Sequence, residues 1–269
     1  MLKLSFLSVL VAGVVSMPSL STAPSRGAQV QATPKVCELR IYTANAGKLP
    51  DLHGLFRNEG TRLFARHGIQ NVFAGTVLEG AASDGADAPN MVVWIVGHSD
   101  HPAAGRAWAA VNGDAGWKAA VARVEQSGPL LSKPPVSVFM SATDYSPIIA
   151  ASSAATTDSA THVFELRKYD TGVAGLPYTA HRFKVGMADI LAKTGMTPIG
   201  YWTATDESAF IYLVAHTDRE TARASWSSFM TPYRAFMADY SKRPDAIAAV
   251  PRTAEENRFL VATDYSARR

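Results

Sequence analysis

The chain has 269 residues, 47% of them hydrophobic and 18% charged, with a net charge of +3. That length allows two modest domains, and that composition excludes intrinsic disorder. Lys and Arg are scattered rather than gathered in a stripe, which argues against a nucleic-acid partner.

The N-terminal segment, residues 1–32, reads as targeting sequence. Lys3 precedes an uncharged apolar run from Leu4 to Val15, then a stretch of Ser, Pro and Ala. This is the pattern of a secretory signal peptide, so a secreted or periplasmic protein is expected. The run is too short to span a bilayer, and no stable membrane span is expected in the mature chain. Cys37 is the only cysteine, so no intrachain disulfide forms, and its place in a strand pattern makes it a small buried hydrophobe.

Residues 36–42 alternate, with Cys37, Leu39 and Ile41 on one face and Glu38, Arg40 and Tyr42 on the other, the period of a half-buried strand. A helix is expected over residues 49–67, closed by Gly68. Strand-like runs follow near 70–78 and 91–98, separated by a loop rich in Gly, Ala and Asp. A helical region around Trp108 is broken at Asn112-Gly113-Asp114, and a last strand near 136–142 runs into Thr143-Asp144-Tyr145-Ser146.

The same order then recurs about 120 residues later, a domain-sized period rather than a solenoid unit. Phe164-Glu165-Leu166-Arg167-Lys168-Tyr169 repeats Cys37 to Tyr42, and Tyr212 to Asp218 repeats Trp94 to Asp100. Thr263-Asp264-Tyr265-Ser266 repeats the closing tetrapeptide. Leu176, Ala180, Phe183, Met187 and Ile190 mark one apolar face of a helix closed by Gly195. The hairpin corresponding to the first-copy loop is turned by the short Asp206-Glu207-Ser208. Thr217 and Glu220 have capping-box spacing, Asp100 and Asp218 stand where helix caps belong, and Pro232 suggests a second broken helix. Between the copies, residues 148–161 are rich in Ala, Ser and Thr with little to bury, hence a linker.

Each copy therefore reads as strand, helix, strand, strand, helix, strand, the ferredoxin-like βαββαβ unit. The third strand is apolar on both sides in both copies, so both sheet faces need cover. Helices cover one face, and the other is covered if the two copies close on each other. The expected fold is α+β: two ferredoxin-like βαββαβ repeats forming an intrachain pseudo-dimeric α+β barrel.

Glu-Leu-Arg-x-Tyr at the start of each copy, the strand ending in His-Ser/Thr-Asp, the Trp-bearing helix and the closing Thr-Asp-Tyr-Ser together resemble the NIPSNAP family of the dimeric α+β barrel superfamily. The resemblance covers residues 36–147 and 162–266. The second copy departs at Gly172-Val173-Ala174-Gly175, where the first has Gly47-Lys48. The resemblance implies the fold but little chemistry, because that superfamily includes cofactor-independent monooxygenases, dehydratases, haem enzymes and non-enzymatic proteins.

Strand parity supplies candidate sites. If Leu39 and Ile41 face the helices, then Glu38, Arg40, Tyr42, Trp94 and His98 point into the barrel, as do Glu165, Arg167, Tyr169, Tyr212 and His216. His98 and His216 are candidate general bases, and Arg40 and Arg167 candidate holders of an anionic oxygen. The competing reading is structural, with the Glu–Arg pairs merely fixing how the sheets meet. His98-Ser99-Asp100-His101 has metal-ligating residue types, but Arg219 replaces the last histidine in the second copy; no metal site, haem motif or other cofactor is expected. Phosphate-binding glycine loops, nucleophile elbows and dinucleotide fingerprints are absent from the sequence. The functional expectation is an exported protein that binds a small, partly apolar organic molecule and converts it without a tightly bound cofactor. The alternative is a non-catalytic interaction scaffold.

Overall fold

The computed structural model describes residues 33–147 and 162–268. The expected signal segment and linker lie outside the described residues. The first repeat runs β1 (Val36–Thr43), α1 (Leu49–Leu55), a π-helical turn (Phe56–Gly60), α2 (Thr61–Arg66), β2 (Gln70–Glu79), β3 (Met91–His98), α3 (His101–Gly113), α4 (Ala115–Val124) and β4 (Val136–Ala142). The second runs β5 (Val163–Asp170), α5 (Gly172–Arg182), a π turn (Phe183–Met187), α6 (Ala188–Lys193), β6 (Thr197–Ala204), β7 (Ala209–His216), α7 (Arg219–Tyr240) and β8 (Ala254–Ala262).

The strands close into one antiparallel barrel in the order β1-β3-β2-β8-β5-β7-β6-β4. Each repeat contributes four neighbouring strands, and the seams are β2 on β8 and β4 on β6. Closure leaves no unpaired sheet edge, which is how a chain of hairpins avoids edge-to-edge association. The paired barrel expected from the two-sided burial of β3 and β7 is the one observed, and every residue of both strands is buried.

The parity assignment is corrected. Leu39, Ile41, Val93 and Ile95 meet Leu166, Ile211, Leu213 and Leu260 inside the barrel, with the Phe73 ring tilted against Phe164 at 4.7 Å between ring centroids. Glu38, Arg40 and Tyr42, with Trp94 and His98, therefore face outward beneath the helices, and so do Glu165, Arg167, Tyr169, Tyr212 and His216. Strand alternation divides residues between two faces but does not say which is concave. Branched and small side chains suit the closed interior, where eight strands leave room only for a packed core. Phe73, Phe164 and Trp202 fill the rest of that interior, and the polar groups lie with the other large aromatics on the convex side, beneath the helices.

Local signals resolve in detail. Gly68 and Gly195 have φ of +78° and +89° after the last turns of α2 and α6, the left-handed geometry that glycine adopts without strain. The π turn inserts an extra residue into the helical repeat. Past it, Leu191 rather than Ile190 is the fully buried residue. Asp100 caps α3 and Asp218 caps α7, accepting from Ala103 N at 2.6 Å and Thr221 N at 2.7 Å, so the cap is Asp218 and not Thr217. The break at Asp114 separates α3 from α4, but α7 continues through Pro232, which is a correction. A proline removes one backbone bond, and packing of Phe229, Tyr233 and Phe236 holds the helix across the gap.

The Thr-Asp-Tyr-Ser tails form local turns, as expected, but each also reaches the other repeat. Tyr145 Oη donates to Ala180 O at 3.0 Å and Tyr201 N donates to Ser146 Oγ at 3.0 Å. Reciprocally, Tyr265 Oη bonds His53 Nδ1 at 2.9 Å and Ala74 N donates to Ser266 Oγ at 3.0 Å. The first-repeat loop contributes a further clasp. It forms a 3-10 helical stretch, Ala82–Asn90, whose Asp84 pairs with Arg258 of β8 at 2.7 and 2.6 Å, with both side chains buried.

Candidate functional site

The outward face of β1 presents Glu38, Arg40 and Tyr42 to the underside of α1–α4. Glu38 Oε1 accepts from Arg40 Nη1 at 2.5 Å and Ser137 Oγ at 2.6 Å. Oε2 accepts from Trp108 Nε1 at 2.6 Å and His98 Nε2 at 3.1 Å. Burial pushes this carboxyl upward, but the His98 hydrogen bond, the Arg40 charge and the bonds from Ser137 and Trp108 outweigh it and bring it from 4.5 down to about 2. An ionised, four-fold satisfied carboxylate is an anchor rather than a proton acceptor.

Arg40 lies over the Trp108 indole at 4.2 Å and donates through Nε to Tyr42 Oη at 2.7 Å. Burial raises the Tyr42 phenol, only partly opposed by the Arg40 charge, so it stays a neutral donor at neutral pH. Arg40, Tyr42 and Ser137 form the polar end of a cavity of about 500 Å³. Phe56 of the π turn, Phe64, Trp108, Val111, Trp117 and Leu130 supply apolar walls, and Glu125 stands at the margin.

The second repeat reproduces the frame. Glu165 accepts from Arg167 Nε at 2.9 Å, His216 Nε2 at 3.0 Å and Trp226 Nε1 at 2.7 Å. Burial opposes its ionisation, yet His216, Arg167 and Trp226 leave it below the usual carboxylate range. Arg167 lies over Trp226 at 4.1 Å. Tyr169 and Tyr212 bond each other at 2.8 Å, and burial holds the Tyr212 phenol well above its ordinary value. A cavity of about 540 Å³ lies above them, bordered also by Met187, Phe229 and Tyr233.

The sequence-predicted groups are thus brought together twice, on the helix side of the sheet. Not all of them border a cavity. His98 and His216 are 1% exposed and stand behind the glutamates, where they donate and orient. Trp94 turns its Nε1 to Asn71 Oδ1 at 2.9 Å and forms cavity backing. The side chains of the His98-Ser99-Asp100-His101 run part company: His98 meets Glu38, Asp100 caps α3 and His101 packs on Phe139. Among the described residues, no group of three or more His, Cys, Asp or Glu converges as a metal set would.

Sequence reading missed Trp108, Trp226 and Ser137. The signal was present, since both tryptophans sit in the second helix of their copy, but helical spacing alone classed them as core. Arg182, at the end of α5, and Arg252, in the loop before β8, were also missed, because only folding brings them to the cavity.

The chain matches no protein-family model and no curated protein. Among solved structures, it is similar to proteins named as inferred monooxygenases from Lactobacillus acidophilus NCFM and Fusobacterium nucleatum. Identities are 13% and 11%, TM-scores are 0.51, and each match covers 86% of this chain and 94% of the other. An uncharacterised NIPSNAP domain protein from Burkholderia xenovorans matches 42% of this chain over 98% of its own length, at 21% identity and a TM-score of 0.31. The chain has the fold of the dimeric α+β barrel proteins, with both halves of the barrel supplied by one polypeptide.

Proposed function

We propose that this is an exported protein of two NIPSNAP-like copies, residues 36–147 and 162–266, that binds a small, partly apolar organic molecule between sheet and helices. The observation that carries the reading is a contrast in packing. The barrel interior is filled by side chains, whereas the helix side of the first repeat keeps about 500 Å³ beside a positioned guanidinium and phenol. A scaffold has no use for such a space, and a ligand pocket combines apolar walls with a few fixed polar groups in this way. In this reading, Arg40 and Tyr42 grip a carbonyl or enolate oxygen of the ligand while Trp108 and Phe56 cover its apolar body. Arg40 and Tyr42 are also placed to stabilise an oxyanion that develops on that ligand.

The test is thermal shift of the protein across a panel of small neutral and charged metabolites, comparing wild type with Arg40→Ala and Arg167→Ala. At least one neutral compound is expected to raise Tm by several degrees, with the shift reduced in Arg40→Ala. Absence of stabilisation by every compound would overturn the ligand reading in favour of the scaffold.

A further inference from the structure

We infer that the second-repeat cavity is a site for a small organic acid, an apolar body carrying one carboxylate, and that Arg182 is the residue that selects it. Three guanidiniums border this cavity: Arg167, Arg182 and Arg252. Two carboxylates face them. Arg167 pairs with Glu165 at 2.9 Å and Glu255 at 3.1 Å, and Arg252 shares Glu255 while lying over Tyr169 at 4.5 Å.

Arg182 has neither. It is 7% exposed, lies over the Tyr178 ring at 4.3 Å and, among the described residues, donates only to Met237 Sδ at 3.6 Å. Its Nε is buried without a hydrogen-bond partner among the described residues. A buried cation without an anion is unfavourable unless something supplies one. A ligand carboxylate does so with charge-assisted hydrogen bonds, and a single unmatched charge calls for a monoanion. The remaining wall, with Tyr212, Phe229 and Tyr233, is aromatic, and about 540 Å³ holds a molecule of this kind.

The first cavity differs in sign. There Arg40 is already matched by Glu38, and Glu125 adds a second carboxylate to the lining. The two repeats thus offer one cavity suited to neutral ligands and another suited to acids. The inference rests on the reading that these sheet–helix cavities take ligands, but it concerns the other cavity and has its own readout.

The experiment is calorimetric titration of the protein with phenylacetate and hexanoate, each against its amide isostere, phenylacetamide and hexanamide. The acids are expected to bind at least about tenfold more tightly than the amides. Arg182→Met keeps the aliphatic bulk; it is expected to abolish that preference and to leave the Tm of the unliganded protein unchanged or raised. A purely structural arginine would instead lower that Tm and leave the preference intact. If Arg182→Met does not fold, Arg252→Gln at the more exposed rim is expected to weaken the acids and spare the amides. Equal binding of acid and amide, no binding of either acid, or a preference that survives these substitutions overturns the assignment. Neutral compounds report on Arg40 and the acid–amide preference on Arg182, so failure here and failure of the first-cavity reading are told apart.

Discussion

Glu38 and Glu165 stand at equivalent positions of the two repeats, yet the first accepts four hydrogen bonds from side chains and the second three. The missing donor is traceable to register. Ser137 lies opposite Arg40, and its counterpart opposite Arg167 is Asn257, whose Oδ1 is buried without a partner among the described residues. Around these frames the surroundings diverge further: carboxylates border the first cavity and unmatched guanidinium borders the second. A repeated strand motif therefore duplicates the hydrogen-bonded frame without duplicating the lining of the cavity above it, which comes from helices and loops that differ between the copies.

The largest effect expected is from Glu38→Ala. It strands Arg40 and His98 in a buried setting, and a loss of about 3–5 kcal/mol is predicted from urea unfolding midpoints. Glu165→Ala strands one donor fewer and is expected to lose less; the reverse order would break the comparison. Asp84→Ala tests a feature that only the first repeat contributes. It leaves Arg258 buried with Glu256 alone and is expected to cost about 3 kcal/mol, again by urea unfolding.

Acid sharpens the contrast. The Glu38 carboxyl lies at about 2 when folded, against 4.5 ordinarily, so the unfolded chain binds that proton more readily. Its stabilisation is fully present above pH 4.5 and is lost as pH falls toward 2, with an amplitude of about 3 kcal/mol. Glu165 is shifted in the same direction. The acid limb of a stability-versus-pH curve should flatten in Glu38→Gln, and an unchanged limb would refute the role given to this carboxylate. The smallest effect is at the divergent register position. Ser137→Ala should cost about 1 kcal/mol, whereas Asn257→Ala should lie within about 0.5 kcal/mol of wild type, since it removes an oxygen that has no partner.

The order of elements, most of the strand limits and the doubled Glu-Arg-Tyr set were readable in the residues because period-two alternation, helix-closing glycines and self-similarity are local properties, although β8 begins earlier, at Ala254, than its alternation marks. So was the need for a second sheet, since β3 and β7 are apolar on both faces. Which of those faces turned inward was not readable. Leu39 and Glu38 alternate with equal regularity whichever side is concave, and only barrel closure, which packs one apolar face of each sheet against the other, settles the choice. Tertiary packing likewise carried α7 through Pro232, set His98 and His216 behind their glutamates, and placed Arg182 without a carboxylate above the second sheet. Those outcomes depend on which distant elements meet. Neighbouring residues along a chain encode their own conformation, but the partner across a cavity is decided by the fold as a whole.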